Sequence, residues 1–224
     1  AIIVHETTVN RLTYDEWDRF LSFAEHKDFP DIEARHDARG LPREGFRESY
    51  IRYAKSLVAV GNGEGNDRIV CLLTEIVAGA NPYTDESDGS MPVQVFHDGA
   101  PRAGEQLELF DRAPDGSVTI TLYRADETGQ ATLPVQPGHE YLVDAVTLIE
   151  DEASVEQKVF WTRHTIATTL CLTFMAIWLA LILVGILVIQ DEDADSLPTS
   201  SPGWLSFPNG TSQPLPPTND RCED

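Results

Sequence analysis

The sequence predicts a mainly β fold with some α: an Ig-like β-sandwich, preceded by a partial β/α segment and followed by one transmembrane helix. Three observations support this prediction. Short apolar runs separated by turn residues recur through the middle of the chain. A helical repeat of apolar residues lies near the start, and a long uncharged apolar run lies near the end.

The middle of the chain predicts strands at regular spacing. The apolar or alternating runs are "IVCLLTEIVA", "MPVQVFH", "EQLELFD", "SVTITLYRA", "QATLPV" and "EYLVDAVTLI". Turn dipeptides such as Asp98-Gly99, Asp115-Gly116 and Pro137-Gly138 divide them, which is typical of a β-sandwich. We therefore assign residues 66–157 to an Ig-like β-sandwich domain, with "HDGAPRAGEQLELF" as one of its hairpins.

Residues 1–65 predict the C-terminal part of a first β/α domain. The opening "AIIV" favours a strand, and "TYDEWDRFLSFAEH" favours a helix with Thr13 as N-cap and Glu16 as its capping-box partner. The segment "GFRESYIRYAKSLVAV" is ambiguous, because its aromatic residues fit helical spacing. The β-branched composition of residues 57–60 favours a strand for its second half.

The apolar run at 166–189 predicts a transmembrane helix. It has no charged residue, and at about 1.5 Å per residue it reaches roughly 36 Å, enough to cross a hydrocarbon core of about 30 Å. The threonine-rich stretch 165–174 leaves a second interpretation open, in which a final strand precedes a shorter span at 175–189. The Pro- and Ser-rich acidic tail, 190–224, predicts disorder.

The charge balance excludes one class of partner. Asp and Glu number 37 against 16 Lys and Arg, so the formal net charge is −21. Such a chain repels the phosphates of nucleic acids, and we therefore exclude DNA and RNA as main partners. The three cysteines form no framework, and isolated thiols are favoured over a disulfide between Cys71 and Cys222.

The sequence carries no recognisable catalytic motif. It contains no GxSxG elbow, HExxH helix or P-loop, which predicts a protein that is not an enzyme. His36 lies in "EARHDARG" beside Asp37, and imidazole with carboxylate suits nickel or cobalt. The alternative is that His36 is a surface histidine on a charged segment.

Five segments, taken in order, carry a family resemblance. They are "LTYDEWDRF", "RHDARGLPREGFRESYIRYAKSLVAVG", "EIVAGANPYT", "MPVQVFHDGAPRAG" and "ATLPVQPGHEYLVDAVTL". Over about residues 2–174 the chain resembles a bacterial exported family of unknown function. Its members are often encoded beside nickel and cobalt transporters and are described as a nickel-uptake, substrate-specific transmembrane region.

The resemblance implies an exported, β-rich protein. It implies that this chain begins within the family's first domain, so that it is truncated at its N-terminus relative to complete members. It implies that the β-rich domain is extracytoplasmic, in the periplasm. Members of the family commonly end near residue 174, so the apolar run that continues here departs from the family and predicts a single-pass membrane anchor for this chain. Lys158 and Arg163 on the near flank of the apolar run favour the opposite orientation under the positive-inside rule.

These observations predict a membrane-anchored extracytoplasmic accessory protein for nickel or cobalt uptake. The expected partners are the membrane and a metal transporter complex. The candidate metal ligands are His36, Asp37 and His139. The alternative is a structural or interaction module of the cell envelope that binds another protein or a glycan without metal.

Overall fold

The computed structural model describes residues 1–151 and 157–171. The helices are α1 (Trp17–His26) and α2 (Ile32–Ala38). The strands are β1 (Ile2–Glu6), β2 (Asn10–Tyr14), β3 (Phe46–Leu57), β4 (Thr74–Ala78), β5 (Ser90–His97), β6 (Ala100–Pro101), β7 (Gln106–Arg112), β8 (Val118–Arg124), β9 (Gln130–Pro134), β10 (Glu140–Glu150) and β11 (Val159–Cys171).

The strands form two sheets. The larger sheet has the order β1-β3-β11-β10-β7-β8, and β2 also pairs with β3. The smaller sheet has the order β4-β5-β6, and β9 also pairs with β5. Neighbouring strands are antiparallel except β3 and β11, which run parallel. The expectation of a mainly β protein with some helix is therefore confirmed.

One hydrophobic core lies between the two sheets. Because side chains alternate along a strand, β10 turns Tyr141, Val143 and Ala145 into this core and turns Asp144 to the opposite face. The smaller sheet contributes buried residues such as Val93 and Leu133. The predicted runs that begin at "MPVQVFH" and end at "EYLVDAVTLI" coincide with β5, β7, β8, β9 and β10.

A second core lies under the two helices, on the opposite face of the larger sheet. Its buried members are aromatic and aliphatic side chains of both helices and of four strands: Tyr14, Trp17, Phe20, Ala24, Ile32, Phe46, Leu148, Phe160 and Trp161. Phe20 meets Phe46 edge to face, with ring centroids 5.2 Å apart. This cluster fixes the helices on the sheet through buried apolar area.

The predicted capping box is wrong, although the helix and the strand predicted at "AIIV" are both present. Thr13 is not a helix cap, because its backbone lies in β2 opposite Arg47. The helix begins at Trp17 after Glu16, which makes no side-chain capping hydrogen bond. The ambiguous segment is a strand throughout β3, since pairing with β1, β2 and β11 prevails over its helical spacing.

The predicted boundary near residue 65 does not separate two domains. β3 lies between β1 and β11 in the larger sheet, so residues 1–65 share that sheet with the later strands. The predicted hairpin also differs in its partner, because β6 pairs with β5 and not with β7.

The predicted start of the transmembrane helix is wrong. Residues 166–171 belong to β11. This agrees with the alternative interpretation, in which the threonine-rich stretch forms a final strand. In the part of the chain that the structure describes, no helix has the length and apolar character needed to cross a membrane. The remainder of that run, 172–189, and the tail at 190–224 lie outside the described residues.

Candidate functional site

His36 is buried inside the aromatic cluster under the helices. Its Nε2–H donates to the carbonyl of Pro42 (3.1 Å), and its Nδ1 accepts from the Trp161 indole N–H (3.2 Å). Burial lowers the pKa of His36, although the carbonyl of Pro42 opposes this effect. Both ring nitrogens are therefore used within the protein, and a metal ion would have to displace one of these bonds.

Asp37 pairs with Arg43 at the surface. The guanidinium donates to both carboxylate oxygens, at 3.1 Å and 2.6 Å, and also lies 2.9 Å from Glu33. The side chains of Asp37 and Arg43 are largely exposed. An exposed pair of this kind contributes little to stability and leaves Asp37 accessible.

His139 forms an imidazole–carboxylate pair just before β10. Its Nδ1–H donates to Asp111 Oδ1 (2.6 Å), and its ring stacks on Tyr141 with centroids 6.1 Å apart. Asp115 lies close by, and hydrogen bonds from Ser117 lower its pKa, with a smaller contribution from His139. A carboxylate on Nδ1 is the arrangement that orients a metal-binding histidine to use Nε2.

The three predicted ligands do not form one site. α2 binds the far end of β10, where Arg35 lies 3.0 Å from Glu150. His139 precedes the near end of β10 at Glu140. Eleven residues of strand separate the two ends by about 35 Å. Among residues 1–151 and 157–171, no three His, Cys, Asp or Glu side chains are grouped to hold a metal ion.

A charged cluster fastens the C-terminal end of α1 to the larger sheet. Lys27 Nζ lies 2.9 Å from Asp144 and 3.0 Å from Glu108, and His26 Nε2 lies 2.9 Å from Glu108. Burial opposes the charge of Lys27, but the two carboxylates prevail and raise its pKa. Burial raises the pKa of Asp144 even though Lys27 opposes this. The cluster joins helix and sheet through ion pairs in which Lys27, Glu108 and Asp144 are largely buried.

A second ion pair lies further along the same face. Arg163 lies 2.7 Å from Glu48, which also accepts a hydrogen bond from the Tyr14 hydroxyl (3.0 Å). The Arg163 guanidinium packs over the rings of Phe23 and Tyr50. The sequence analysis did not predict these ion pairs. The feature that could have indicated them is a carboxylate within an otherwise apolar strand, as in "QLELF" and "LVDAV", because such a carboxylate needs a partner when it is buried.

The core between the sheets contains a buried lysine. Lys55 Nζ lies 2.9 Å from Asp67 and 3.5 Å from Glu75, and all three side chains are essentially fully buried. The Glu75 carboxylate accepts the N–H groups of Val70 and Cys71, and Asp67 accepts that of Ala78. This triad ties the loop before β4 to β3.

Cys71 takes part in a disulfide bond. The expectation that the thiols are isolated is therefore wrong for Cys71; the other cysteines of the chain are Cys171 and Cys222. Spacing gave no signal, because a disulfide depends on which loops the fold brings together and not on sequence separation.

The disulfide gives a first testable prediction. Reduction with dithiothreitol should lower the free energy of unfolding by about 2–4 kcal/mol, because the unfolded chain gains conformational freedom. Urea unfolding of the full chain, with and without reductant, measures this. Cys71→Ser should unfold identically in both conditions, and only one of Cys171→Ser and Cys222→Ser should share that behaviour. Equal stability of the oxidised and reduced wild type would contradict the prediction.

Two histidines that are distant in sequence meet in the structure. His97 at the end of β5 and His164 in β11 stack with ring centroids 6.0 Å apart, and Tyr53 lies edge-on to His164 at 6.1 Å. Sequence reasoning missed this pair because each histidine belongs to a different sheet. Only the packing of the two sheets brings them together.

Glu105 is a buried carboxylate beside β7. It pairs with Arg102, which also donates to the Thr147 hydroxyl and to the carbonyl of Val146 (3.1 Å). Burial raises the pKa of Glu105 to about 7, although Arg102 opposes this. Glu105 therefore changes its charge near neutral pH.

The raised pKa of Glu105 predicts a pH-dependent stability. The folded protein binds this proton more tightly than the unfolded chain does. The contribution of Glu105 to the free energy of unfolding is therefore fully present below about pH 4.5 and is lost as the pH rises through about 7. A shift of this size corresponds to roughly 3 kcal/mol. In Glu105→Gln, the decline in free energy of unfolding between about pH 5 and pH 8 should shrink. The matched exposed variant Glu127→Gln should keep the wild-type profile, and an unchanged profile in Glu105→Gln would contradict the assignment.

These features define a class: a two-sheet β protein with a helical cap, internal ion pairs and an imidazole–carboxylate pair where the chain enters β10. The family is identified by its sequence. A model described as "Domain of unknown function (DUF4198)" matches residues 5–148, and the chain belongs to this family. Its description assigns no function, so the association with nickel and cobalt uptake stays a prediction. No curated protein and no solved structure matches the chain.

Proposed function

We propose that this chain is a non-enzymatic, extracytoplasmic binding module, anchored to a membrane, that assists the uptake of a transition metal such as nickel or cobalt. The observation that supports it best is the pair formed by His139 and Asp111, in which the carboxylate fixes the ring through Nδ1. Imidazole nitrogen is a ligand that nickel and cobalt accept readily.

The surroundings of His139 suit a cation. The side chains of His139 and Asp111 are 16% and 26% exposed, so an ion has access to the ring without unfolding of the core. Asp115 adds a second carboxylate near the imidazole. Negative charge beside the imidazole favours the approach of a divalent cation to Nε2.

The disulfide of Cys71 supports an extracytoplasmic location. Disulfide bonds persist in oxidising compartments such as the periplasm and are rare in the reducing cytosol. The proposed membrane anchor falls on residues 172–189, outside the described part of the chain. The proposal also includes an Ig-like topology for the two sheets, which pack around one core as in such domains.

Nickel titration calorimetry of the full chain tests the metal proposal. Wild type should release or absorb binding heat at one site, and His139→Ala should lose it. Asp111→Asn should weaken the affinity by about 10- to 100-fold, because the ring loses its orienting partner. His5→Ala removes an exposed histidine elsewhere and should bind as wild type does. Absence of binding heat in wild type, or full binding by His139→Ala, would overturn direct metal binding.

The second candidate function is an interaction module that binds another envelope protein or a glycan without metal. The exposed apolar row of β8, Val118, Ile120 and Leu122, favours it, since monomeric surfaces seldom align three such side chains on one strand. A partner recovered equally well from chelator-treated and nickel-supplemented membranes would support this function over metal uptake. Recovery that requires nickel would favour metal uptake instead.

A further inference from the structure

β8 is an edge strand with an open side. It pairs with β7 in a continuous register from Gln106 opposite Arg124 to Arg112 opposite Val118. Within the described residues no strand pairs with its other side, where a row of backbone N–H and C=O groups is available. Natural edge strands are usually protected by proline, lysine or a bulge. The sequence "VTITLYR" has none of these.

The side chains of β8 are also exposed to solvent. Val118, Ile120 and Leu122 share one face of the strand and are 54%, 55% and 52% exposed. On the other face, Thr119 and Thr121 are also exposed. β-branched and aromatic residues make this strand suited to further pairing.

Charge makes β8 unusual in this chain. The protein has a net charge of −21, so two copies repel each other over most of their surfaces. β8 contains no acidic residue and one arginine. It is therefore a stretch of open backbone where the repulsion between copies is weakest.

We propose that two copies of this chain associate by pairing their β8 strands antiparallel about Thr121. In this register, Ile120 lies opposite Leu122 of the second copy on one face, and Thr119 lies opposite Tyr123 on the other. At the centre of the pairing, apolar side chains thus meet apolar side chains and Thr119 meets the hydroxyl-bearing Tyr123, while at each end Val118 lies opposite Arg124. The two larger sheets then continue into each other across the symmetry axis.

The ends of the paired strands determine how the association depends on salt. Asp115 and Glu127 lie in the two turns that flank β8, so the pairing brings acidic residues of the two copies towards each other at both ends. These like charges repel, and added salt screens them. The dimer should therefore become more abundant between about 0.05 M and about 0.5 M NaCl, opposite to an association held by ion pairs.

Sedimentation velocity of the full chain tests the proposal. Wild type should sediment as a dimer, and Ile120→Lys/Leu122→Lys as a monomer with an unchanged circular dichroism spectrum. The matched control Val9→Lys/Val60→Lys adds the same charge at apolar positions that are 59% and 65% exposed and lie outside the strands. This control should remain dimeric. A monomeric wild type, or a dimer unaffected by Ile120→Lys/Leu122→Lys, would overturn the proposal.

A cross-link tests the register. Thr121→Cys should form a covalent dimer under mild oxidation, and mass spectrometry should identify a peptide that joins two Cys residues at position 121. Thr119→Cys, which lies opposite Tyr123 in the proposed register, should cross-link far less. A dimer whose Thr119→Cys variant cross-links better than Thr121→Cys would overturn this register.

Discussion

Replacement of Lys55 by methionine should lower the free energy of unfolding by about 3–5 kcal/mol. The substitution keeps the volume of the side chain but leaves Asp67 and Glu75 as buried carboxylates without their cation. An unpaired buried charge costs far more than the ion pair contributed, because the desolvation penalty is no longer offset. Urea unfolding followed by circular dichroism measures the change.

Two controls separate this effect from a general loss of lysine. Lys158→Met makes the same chemical change at an exposed position and should alter stability by less than about 0.5 kcal/mol. Combining Lys55→Met with Asp67→Asn and Glu75→Gln removes the buried charges together and should recover part of the loss. Equal stability of Lys55→Met and wild type would show that the triad does not hold the loop before β4.

Replacement of Trp161 by alanine should cost about 3–5 kcal/mol. Trp161 is fully buried between the helices and the larger sheet. The guanidinium groups of Arg35 and Arg39 lie 5.0 Å and 5.3 Å from its ring. The substitution leaves a cavity at this junction and removes the donor to His36. Urea unfolding should show the loss.

The matched variant Trp161→Phe distinguishes packing from hydrogen bonding. It keeps an aromatic ring but leaves Nδ1 of His36 without the indole N–H, a cost of about 1–3 kcal/mol. Its stability should therefore lie between those of wild type and Trp161→Ala. If Trp161→Phe were as unstable as Trp161→Ala, the indole hydrogen bond would dominate; if Trp161→Ala were stable, the second core would not depend on this residue.

The strands of the middle region were predictable because their local signals agree. In "MPVQVFH" and "EYLVDAVTLI" alternation, β-branched residues and flanking turns favour the same structure. β3 was harder, because Phe46, Tyr50 and Tyr53 also fit a helix. What decides the matter is pairing with β11, whose residues lie more than a hundred positions later. A window of neighbouring residues contains no such information.

The candidate site was predictable only in part for a similar reason. His36 stands among charged residues in the sequence, yet α2 turns it into the aromatic cluster while Asp37 stays outside. His139 was a candidate, but its partner Asp111 belongs to another strand. The pair of His97 and His164 and the triad around Lys55 likewise join distant segments. Such groups of residues are brought together by tertiary packing, which the spacing of residues along the sequence does not reveal.

The parallel pairing of β3 with β11 has a consequence for biosynthesis. β11 fills the gap between β3 and β10, with Leu57 opposite Leu170. Until residue 171 has left the ribosome, a nascent chain has two hydrophobic strands with open edges at the centre of its larger sheet. We expect the larger sheet to close only after β11 has emerged, and the chain to need protection from aggregation until then.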